Sequence, residues 1–551
     1  MTDAADRSAQ RFPTLSPEQL ARVATLGTRR PVKRGEVLFA AGDALAHFYV
    51  VVSGRMEVVR PHEAAEDLIV VHTPGHFTGE MTLLNGRRAL VTGRMLEDGE
   101  LIQLEAAALK RIIQGDAELS ELLMRAFILR RTALIADHHG DVVLVGSRHS
   151  SGTLRLREFL TRNAHPHTYL DIDQDADTQA LLDQFQVGVA DVPVVICRAT
   201  LVLRNPTDAA LAECLGLNPA WDAAHVRDLV VVGAGPAGLA AAVYAASEGL
   251  DTLVLESHAP GGQAGSSSRI ENYLGFPTGI SGGALAGRAY AQAQKFGVEV
   301  AIARSAVKLG CEQRPYTLEL ADGARVQARA IVIATGARYR KLALASLDQF
   351  EGVGVYYGAT YVEAQLCSGE DVIVVGGGNS AGQAAVYLAS LARQVSVLVR
   401  GSGLADTMSR YLVRRIEETP NITVRAHTQV EALEGGAHLE HVRWRSAATG
   451  EVQTQPVRHV FLMTGAEPNT AWLSDCVCLD EKGFIKAGAD LGAADRAAAA
   501  WPLSRAPHLL ETSLPGIFAV GDVRSGSVKR VASAVGEGSV CIQLVHKVLA
   551  E

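Results

Sequence analysis

The sequence predicts a multidomain protein in which a small β-barrel or jelly roll and a small α/β unit precede a larger α/β body of Rossmann-like type. Three observations predict this architecture. Two glycine-rich turns, residues 233–238 and 376–381, each stand between a continuous apolar run and a helical segment. Short apolar strands separated by glycines fill residues 1–135. Residues 140–220 alternate between strand and helix patterns, and a length of 551 residues agrees with about three or four domains.

The first unit, residues 1–135, begins with a helical segment at Ser16 and continues with apolar strands such as Phe48-Tyr-Val-Val-Val and Met56-Glu-Val-Val. Many short strands with glycine between them are typical of a small barrel or jelly roll. Apolar residues then recur at helical spacing over residues 119–131, which predicts a helix at the end of the unit.

A possible ligand site lies near the end of this barrel, where Phe77-Thr-Gly79-Glu80 is followed by Arg87-Arg88-Ala89. A carboxylate can accept hydrogen bonds from a ribose hydroxyl, and an arginine can neutralise a cyclic phosphate. These residues resemble the phosphate-binding cassette of cyclic-nucleotide-binding domains, which implies Gly79, Glu80, Arg88 and Ala89 as ligand-binding residues, with Arg87 as the alternative phosphate ligand. A degenerate barrel that serves dimerisation or docking remains the alternative. In related regulators the helix after the barrel pairs two subunits, so a homodimer is expected.

The second unit, residues 136–222, shows a βαβ pattern followed by a ββα pattern. Its order and size resemble the thioredoxin or glutaredoxin fold, and Pro193 stands where that fold places its cis-proline. A redox-active member would carry a Cys-x-x-Cys after the first strand. This chain has Ser147-Arg-His-Ser150 there, with hydroxyls instead of thiols, and His149 is expected to be a solvated loop residue.

The first glycine turn, Gly233-Ala-Gly-Pro-Ala-Gly238, follows the apolar run after Asp228 and precedes a helical segment. A strand that leads through a tight glycine turn into a helix presents backbone N–H groups to a pyrophosphate. Glu256 closes the next apolar strand, where an acid can accept hydrogen bonds from ribose hydroxyls. The turn therefore predicts a dinucleotide site.

The second glycine turn, Gly376-Gly-Gly-Asn-Ser-Ala381, repeats the pattern, but the strand after it ends in Arg400 instead of an acid. A guanidinium can pair with a 2′-phosphate that a carboxylate would repel, so the sequence favours NADPH over NADH. Arg410 is a candidate for a second positive contact.

Residues 226–551 resemble the low-molecular-weight thioredoxin reductase family of flavoproteins. The matching segments, in the family's order, are Gly261-Gly-Gln, Ile270-Glu-Asn-Tyr-Leu-Gly-Phe-Pro, Ala334-Thr-Gly, Thr464-Gly and Gly516-Ile-Phe-Ala-Val-Gly-Asp. The resemblance implies an FAD-binding domain at 226–340 and 465–551 and an NAD(P)H-binding domain at 341–464. It implies FAD-binding residues Gly233, Gly235, Pro236, Ala237, Gly238, Glu256, Gly262, Gln263, Asn272, Thr335, Gly336, Gly521, Asp522, Arg530 and Val531. It implies NADPH-binding residues Gly376, Gly378, Asn379, Ser380, Ala381 and Arg400. Lys529-Arg530 stands where the family usually shows Arg-Gln.

The largest departure from the family concerns its dithiol, a Cys-x-x-Cys just before the second turn. Gly358 and Tyr361 occupy the cysteine places here, and neither can form a disulfide or a flavin adduct. Cys367 is expected to be a buried apolar residue. Cys476 and Cys478 form the only close pair, and we expect unrelated surface thiols there, with a working pair as the alternative.

Composition agrees with this description. Hydrophobic residues make up 48% and charged residues 20% of the chain, enough for sizeable cores. The net charge of −8 without a basic block gives no support to nucleic-acid binding. Glycines interrupt the apolar stretch at 229–246, so no transmembrane segment is predicted. Seven scattered cysteines and the lack of a signal-peptide pattern predict a cytoplasmic protein without a disulfide framework, and no metal site is predicted.

The sequence therefore predicts an NAD(P)H-dependent FAD oxidoreductase of thioredoxin reductase type that passes electrons to an external acceptor, a protein carrier or a small molecule, under the control of a nucleotide at the N-terminal domain. Two alternatives remain open. One is a redox-sensing signalling protein that binds FAD and NADPH but turns over slowly. The other is a disulfide reductase that uses Cys476 and Cys478.

Overall fold

A computed structural model describes residues 10–43, 47–62, 65–78, 83, 89, 91–136, 142–173, 191–197, 201–218, 222, 224–436, 438–473 and 476–551. The chain forms two units. The first comprises Met1–Val145, Ala164–Asp222 and Ala291–Ala303, and the second comprises Gly146–Asn163, Ala223–Tyr290 and Arg304–Glu551. In the part of the chain that is described, every helix is too short or too polar to cross a bilayer.

The N-terminal domain consists of two four-stranded antiparallel sheets, as a jelly roll requires. The first sheet has the strand order Thr28–Val32, Gly99–Glu105, His47–Ser53, Phe77–Thr78, and the second has the order Val37–Phe39, Thr92–Met95, Met56–His62, Ala65–His72. Side chains from both sheets share one core. The domain also has the helices Pro17–Ala24, Ala106–Gly115 and Ala117–Ala136.

The predicted helix after the barrel is Ala117–Ala136, and it packs on its own domain. Leu119, Leu123 and Phe127 are buried in the same cluster as Phe48 and Phe77. The apolar spacing seen in the sequence is therefore used for this core. The homodimer stays a prediction.

The middle of the chain contains a four-stranded sheet with the strand order Thr168–Asp171, Val142–Gly146, Val194–Cys197, Leu201–Arg204. Val194–Cys197 runs antiparallel to both of its neighbours. The Val192–Pro193 peptide bond is cis, as expected for that position. The helices Ser151–Arg162 and Asp208–Cys214 are present, and the helix expected at 176–185 lies outside the described residues.

The C-terminal body contains the two Rossmann-like domains. The first domain has a parallel ladder of the strands Thr252–Glu256, Val226–Val232, Arg325–Ile333 and Ile517–Ala519. The antiparallel strands Tyr316–Leu320 and Ala306–Gly310 extend it. Its α-helices are Pro236–Ser247, Gly262–Gly265, Gly282–Lys295, Ala493–Ala498 and Val531–Ala550, with 3-10 turns at Ala471–Leu473, Gly488–Asp490 and Gly521–Val523. Strand Glu299–Ile302 completes the strands of this part of the chain.

The second Rossmann-like domain has a parallel sheet with the strand order Val355–Tyr356, His459–Leu462, Asp371–Val375, Gln394–Leu398, Ile422–Arg425. An antiparallel sheet of Thr428–Gly435, Leu439–Ser446 and Val452–Pro456 adjoins it in the chain. Its helices are Leu347–Phe350, Tyr361–Leu366, Asn379–Ala389 and Arg410–Glu417. Two short strands, Ala337–Tyr339 and Ala466–Pro468, pair where the chain leaves and re-enters the first domain.

Candidate functional site

The first glycine turn joins strand Val226–Val232 to helix Pro236–Ser247 by a close backbone approach. Gly233 has a φ of 106°, and a Cβ there would lie 2.4 Å from the carbonyl oxygen of Ala334. A Cβ at Gly238 would lie 1.8 Å from the carbonyl oxygen of Gly233, so both positions require glycine.

Gly235 is the N-cap of this helix and serves a different purpose. No side chain caps the helix, and the nearest atom to an added Cβ at Gly235 is the Cα of Gly262, 3.9 Å away. The first turn of the helix therefore faces open space in a cavity, where its free N–H groups and positive dipole end favour an anion.

Glu256 lies at the end of the neighbouring strand, as the sequence predicts, and its carboxylate is held by backbone. Oε2 accepts a hydrogen bond of 2.7 Å from the N–H of Ala234, and Oε1 accepts one of 2.9 Å from the N–H of His258. These bonds fix the carboxylate beside the first turn, at the wall of the cavity.

The opposite wall forms where the two domains are joined. Thr335 Oγ1 donates to the carbonyl oxygen of Asn469 (2.9 Å), and Asn469 Nδ2 donates to the carbonyl oxygen of Thr335 (2.9 Å). Gly336 has a φ of 63°, and Gln263 Nε2 donates to the carbonyl oxygen of Ala337. These bonds hold the predicted residues Gln263, Thr335 and Gly336 against the connecting segments.

The end of the chain supplies a further part of the cavity. The N–H of Gly521 donates to Glu537 Oε2 (2.7 Å), which ties the Gly521-Asp522 turn to helix Val531–Ala550. Burial raises the pKa of Asp522 above its usual range. Lys529 Nζ donates to the carbonyl oxygen of Asp522 (2.7 Å), so the lysine that departs from the family pattern braces this turn.

The second glycine turn has the same construction as the first. Gly376 has a φ of 145°, and a Cβ there would lie 2.4 Å from the carbonyl oxygen of Met463. Gly378 is the uncapped N-cap of helix Asn379–Ala389, and space around it is open. Asn379 Oδ1 accepts a hydrogen bond of 2.7 Å from the N–H of Ser409.

One cavity of about 1090 Å³ brings residues of both turns together. The predicted residues that line it are Gly233, Gly235, Pro236, Ala237, Glu256, Gly262, Gln263, Asn272, Thr335, Gly336, Gly521, Asp522, Arg530, Val531, Asn379 and Ser380. The lining residues do not include Gly238, Gly376, Gly378, Ala381 or Arg400. Arg400, which follows strand Gln394–Leu398, is exposed. Tyr339 also lines the cavity, and burial raises the pKa of its hydroxyl.

One of the two places of the missing dithiol, Gly358, lies at this cavity. Gly358 lines it together with Tyr356 and Tyr357. Tyr361 is the first residue of helix Tyr361–Leu366, and its side chain lies outside the described part of the structure. No cysteine occurs among the described residues that line the cavity.

Cys367 is fully buried in the core of the second domain, and burial raises the pKa of its thiol. A thiol that resists ionisation is a poor nucleophile. The prediction of a buried apolar residue is confirmed.

The expectation for Cys476 is wrong. Cys476 forms a disulfide with Cys311, with the two Cα atoms 6.1 Å apart, while Cys478 is a free thiol. Cys311 follows strand Ala306–Gly310, which lies beside the 3-10 turn Ala471–Leu473 in the fold. The sequence could not show this pair because its members are 165 residues apart.

Of the cassette predicted in the N-terminal domain, Gly79, Glu80 and Arg88 lie outside the described residues. Ala89 is buried, and its N–H donates to the carbonyl oxygen of Asp43 (2.9 Å).

Several lining residues were not predicted. Three of them, Asn469, Trp472 and Tyr339, come from the connecting segments. The only sequence feature that could have indicated them is the presence of polar residues after a strand. Helix Ser151–Arg162, which we call the bridging helix, contributes Ser151, Leu154, Arg155, Glu158 and Arg162. Nothing in its sequence indicates a nucleotide site.

A cavity of this size, with glycines at the close approaches, uncapped helix N-termini and a positioned carboxylate, fits a dinucleotide. The residues therefore suit a bound FAD, and the second turn suits a pyridine nucleotide.

Comparison with known proteins agrees. Residues 227–538 match the family "Pyridine nucleotide-disulphide oxidoreductase", and residues 29–116 match "Cyclic nucleotide-binding domain". The chain is 32% identical over 327 residues to the thioredoxin reductase of Listeria innocua, covering 59% of this chain and 95% of that protein.

Solved structures show the same likeness. The thioredoxin reductase of Lactococcus lactis (FR conformation) has a TM-score of 0.53 at 28% identity and is matched over 59% of this chain and 99% of its own. The thioredoxin reductase of T. acidophilum has a TM-score of 0.52 at 28% identity, with the same coverage. Thioredoxin reductases use FAD and NADPH. This chain therefore belongs to the pyridine nucleotide-disulphide oxidoreductase family, as a thioredoxin reductase-like flavoprotein with a cyclic nucleotide-binding domain at its N-terminal side.

Proposed function

We propose that this chain is an NAD(P)H-dependent FAD oxidoreductase that passes electrons from NADPH through FAD to an acceptor outside the chain, without an internal dithiol. The observation that carries the proposal is the shared cavity. Residues of the first turn, residues of the second turn and Gly358 all line it.

In this proposal the first turn and Glu256 hold the pyrophosphate and ribose of FAD. The backbone N–H groups after Gly235 face the anion, and the carboxylate fixed by Ala234 and His258 accepts from the ribose hydroxyls. The rest of the cofactor would be surrounded by the other predicted lining residues, which are Gln263, Asn272, Thr335, Gly336, Gly521, Asp522, Arg530 and Val531.

The second turn would bind the pyridine nucleotide. Asn379 and Ser380 support this, because both line the same cavity as the residues of the first turn. Arg400 is exposed and has the charge to pair with a 2′-phosphate, which favours NADPH. When bound, FAD accepts a hydride from NADPH and delivers the electrons onward, and the chain's residues supply proximity and orientation.

Gly358 would leave room for the external acceptor. Where the family places sulfur, this chain has a glycine, and Tyr356 and Tyr357 line the cavity together with it. Ferredoxin-like carriers, quinones, oxygen and a partner's disulfide all suit such an opening. The Cys311–Cys476 pair and Cys478 are not lining residues, so nothing favours a relay through these sulfurs.

Two further parts of the proposal concern the other domains. The middle sheet, in which strand Val194–Cys197 runs antiparallel to both of its neighbours, supports a thioredoxin-like domain that lacks a dithiol. The match to cyclic nucleotide-binding domains supports a cyclic nucleotide as regulatory ligand.

Anaerobic stopped-flow reduction of the flavin-loaded protein by NADPH and by NADH tests the proposal. We expect bleaching of the flavin band by both, about tenfold faster with NADPH at limiting concentration because a charge-assisted hydrogen bond to the 2′-phosphate is lost with NADH. Reoxidation by a panel of carriers, quinones, oxygen and thioredoxin disulfide then identifies the acceptor class.

A double variant, Cys476→Ser with Cys478→Ser, is the control. Because this variant also loses the Cys311–Cys476 disulfide, it is compared with the wild type below its melting temperature and at equal FAD content. It should then be reduced and reoxidised as the wild type, whereas loss of disulfide reduction would favour the thiol relay. Bleaching followed by slow reoxidation with every acceptor would favour the redox sensor. A purified protein that is colourless and takes up no FAD would contradict the proposal as a whole.

A further inference from the structure

The bridging helix, Ser151–Arg162, precedes the segment that matches the oxidoreductase family, which begins at residue 227. It nevertheless forms one wall of the flavin cavity. A residue on this helix can therefore contribute to the site without having a counterpart in the family domain.

The C-terminal end of the bridging helix contacts the loop after Glu256. Arg162 Nη2 donates a hydrogen bond of 2.7 Å to the carbonyl oxygen of Gly262. Asn163 Nδ2 donates to the carbonyl oxygen of His258 (3.2 Å), and the ring of Phe159 meets that of His258 edge-on with centroids 5.5 Å apart. These contacts fix the end of the helix against the flavin-binding domain.

The N-terminal end of the same helix contacts the pyridine nucleotide-binding domain. Leu154 is buried in that domain's core cluster with Tyr356 and Ala359. Ser151 lies so close to Gly352 that a Cβ added to the glycine would be 3.0 Å from the Cβ of Ser151. Because both ends are anchored, the position of Arg162 is well defined.

Arg162 stands next to the first glycine turn. A Cβ added to its partner Gly262 would lie 3.0 Å from the Cα of Gly235, which is the N-cap of the anion-facing helix. The guanidinium also makes a contact of 3.3 Å with Glu158, and its side chain is 18% exposed. Its side chain lines the cavity. A positive group thus lies close to the turn that would receive the pyrophosphate.

We propose that Arg162 is an additional binding residue for the pyrophosphate of FAD, supplied by a helix from outside the family domain. This inference depends on the proposed function, since it names a residue of the same site. A guanidinium beside a diphosphate forms charge-assisted hydrogen bonds, which are stronger than neutral ones.

The test compares FAD affinity among full-length apoproteins by quenching of flavin fluorescence. Arg162→Gln keeps a donor for the carbonyl of Gly262 but removes the charge, and we expect it to raise the Kd for FAD by about 10- to 100-fold. Arg162→Lys keeps the charge and should retain most of the affinity. Thr161→Ala changes an exposed residue on the same helix and should bind FAD as the wild type.

Thermal unfolding of each apoprotein separates binding from folding. Equal melting temperatures with weaker FAD binding in the glutamine variant support the inference. It is overturned if that variant binds FAD within about threefold of the wild type, or if its apoprotein melts lower in proportion to the loss of affinity. A wild type that takes up no FAD would instead sink the proposed function, so the two failures are distinguishable.

Discussion

At the scale of single residues, the site depends on places where only a hydrogen atom fits. Gly238 and Gly233 bring the start of the helix Pro236–Ser247 within contact of the strand that precedes it. The N-terminus of the helix then points at the cavity with its N–H groups free. The φ of Gly238 is not positive, so glycine is needed there for the close approach alone. At Gly233 it is needed for the backbone conformation as well.

Replacement of Gly238 by alanine should therefore damage the flavin site. Its Cβ would lie 1.8 Å from the carbonyl oxygen of Gly233, and that backbone atom cannot give way cheaply. We expect a loss of about 3 kcal/mol or more in the free energy of unfolding, with little bound FAD, measured by thermal unfolding and by flavin content. Gly287→Ala, in helix Gly282–Lys295, is the control, because nothing lies within 4 Å of a Cβ added at that position. Equal flavin content in both variants would refute the argument.

At the scale of elements, the disulfide between Cys311 and Cys476 joins two segments of the flavin-binding domain. One is the residue after strand Ala306–Gly310, and the other follows the 3-10 turn Ala471–Leu473. The second segment also carries Asn469 and Trp472 of the cavity wall. The disulfide therefore ties together segments that support the cavity wall, and neither of its cysteines is a lining residue.

Cys476→Ser should lower the stability of the oxidised protein. A cross-link over a long loop reduces the entropy of the unfolded chain, so its loss should cost about 2–5 kcal/mol. Thermal unfolding with and without dithiothreitol checks this. When reductant is added, the melting temperature of the wild type should fall toward that of the variant, whereas the melting temperature of the variant should not change. Cys478→Ser, which leaves the disulfide intact, should behave as the wild type in both conditions.

The barrel has its own element-scale feature at the end of strand Ala65–His72. His72 is 2% exposed, and its Nδ1 is buried without a partner among the described residues. Burial, together with the charge of Arg130 and the nearby His76, lowers the pKa of His72 well below its ordinary value. The folded barrel thus holds this histidine neutral.

The stability of the barrel should therefore fall on the acid side. Above about pH 6.5 His72 is neutral in both the folded and the unfolded state and contributes no pH dependence. Below that pH the unfolded state binds a proton that the folded state refuses, so the free energy of unfolding decreases as the pH falls. The free energy of unfolding of the barrel can be measured by hydrogen exchange of its amides between about pH 5 and 7. As the pH falls, it should decrease more steeply in the wild type than in His72→Gln. Identical profiles would show that His72 is not the responsible group.

At the scale of the whole molecule, the chain combines a cyclic nucleotide-binding domain with an oxidoreductase body. Regulation across such a combination requires that the nucleotide bind two states of the protein with different affinity. A tenfold effect on the rate of flavin reduction corresponds to about 1.4 kcal/mol of coupling.

Calorimetric titration with cAMP and cGMP checks this regulation. We expect binding heat with the wild type and a change in the rate of flavin reduction by NADPH when the nucleotide is present. Arg88→Ala should abolish both, because the cyclic phosphate loses its positive partner, and Arg87→Ala serves as the matched comparison for the adjacent arginine. If the wild type shows no binding heat and no change in the rate of flavin reduction, the barrel has only a structural role.

Much of the nucleotide site was predictable because it is local in sequence. The turn at Gly233 and the carboxylate of Glu256 belong to one strand–turn–helix–strand unit, in which parallel strands bring their carboxyl ends to one edge. The same reasoning predicted the second turn, of which Ser380 lines the cavity and Gly376 does not. The replacement of the dithiol by Gly358 and Tyr361 could be read directly from the sequence.

The sequence by itself determined the order of the domains, the two glycine turns and the absence of the dithiol, since each depends on neighbours within one short segment. Only the tertiary structure decided that Cys311 pairs with Cys476, that Asn469 closes the far wall and that Arg162 reaches the flavin cavity. These contacts join residues far apart along the chain, and their distances are set by how whole elements pack, which no local pattern of residues contains.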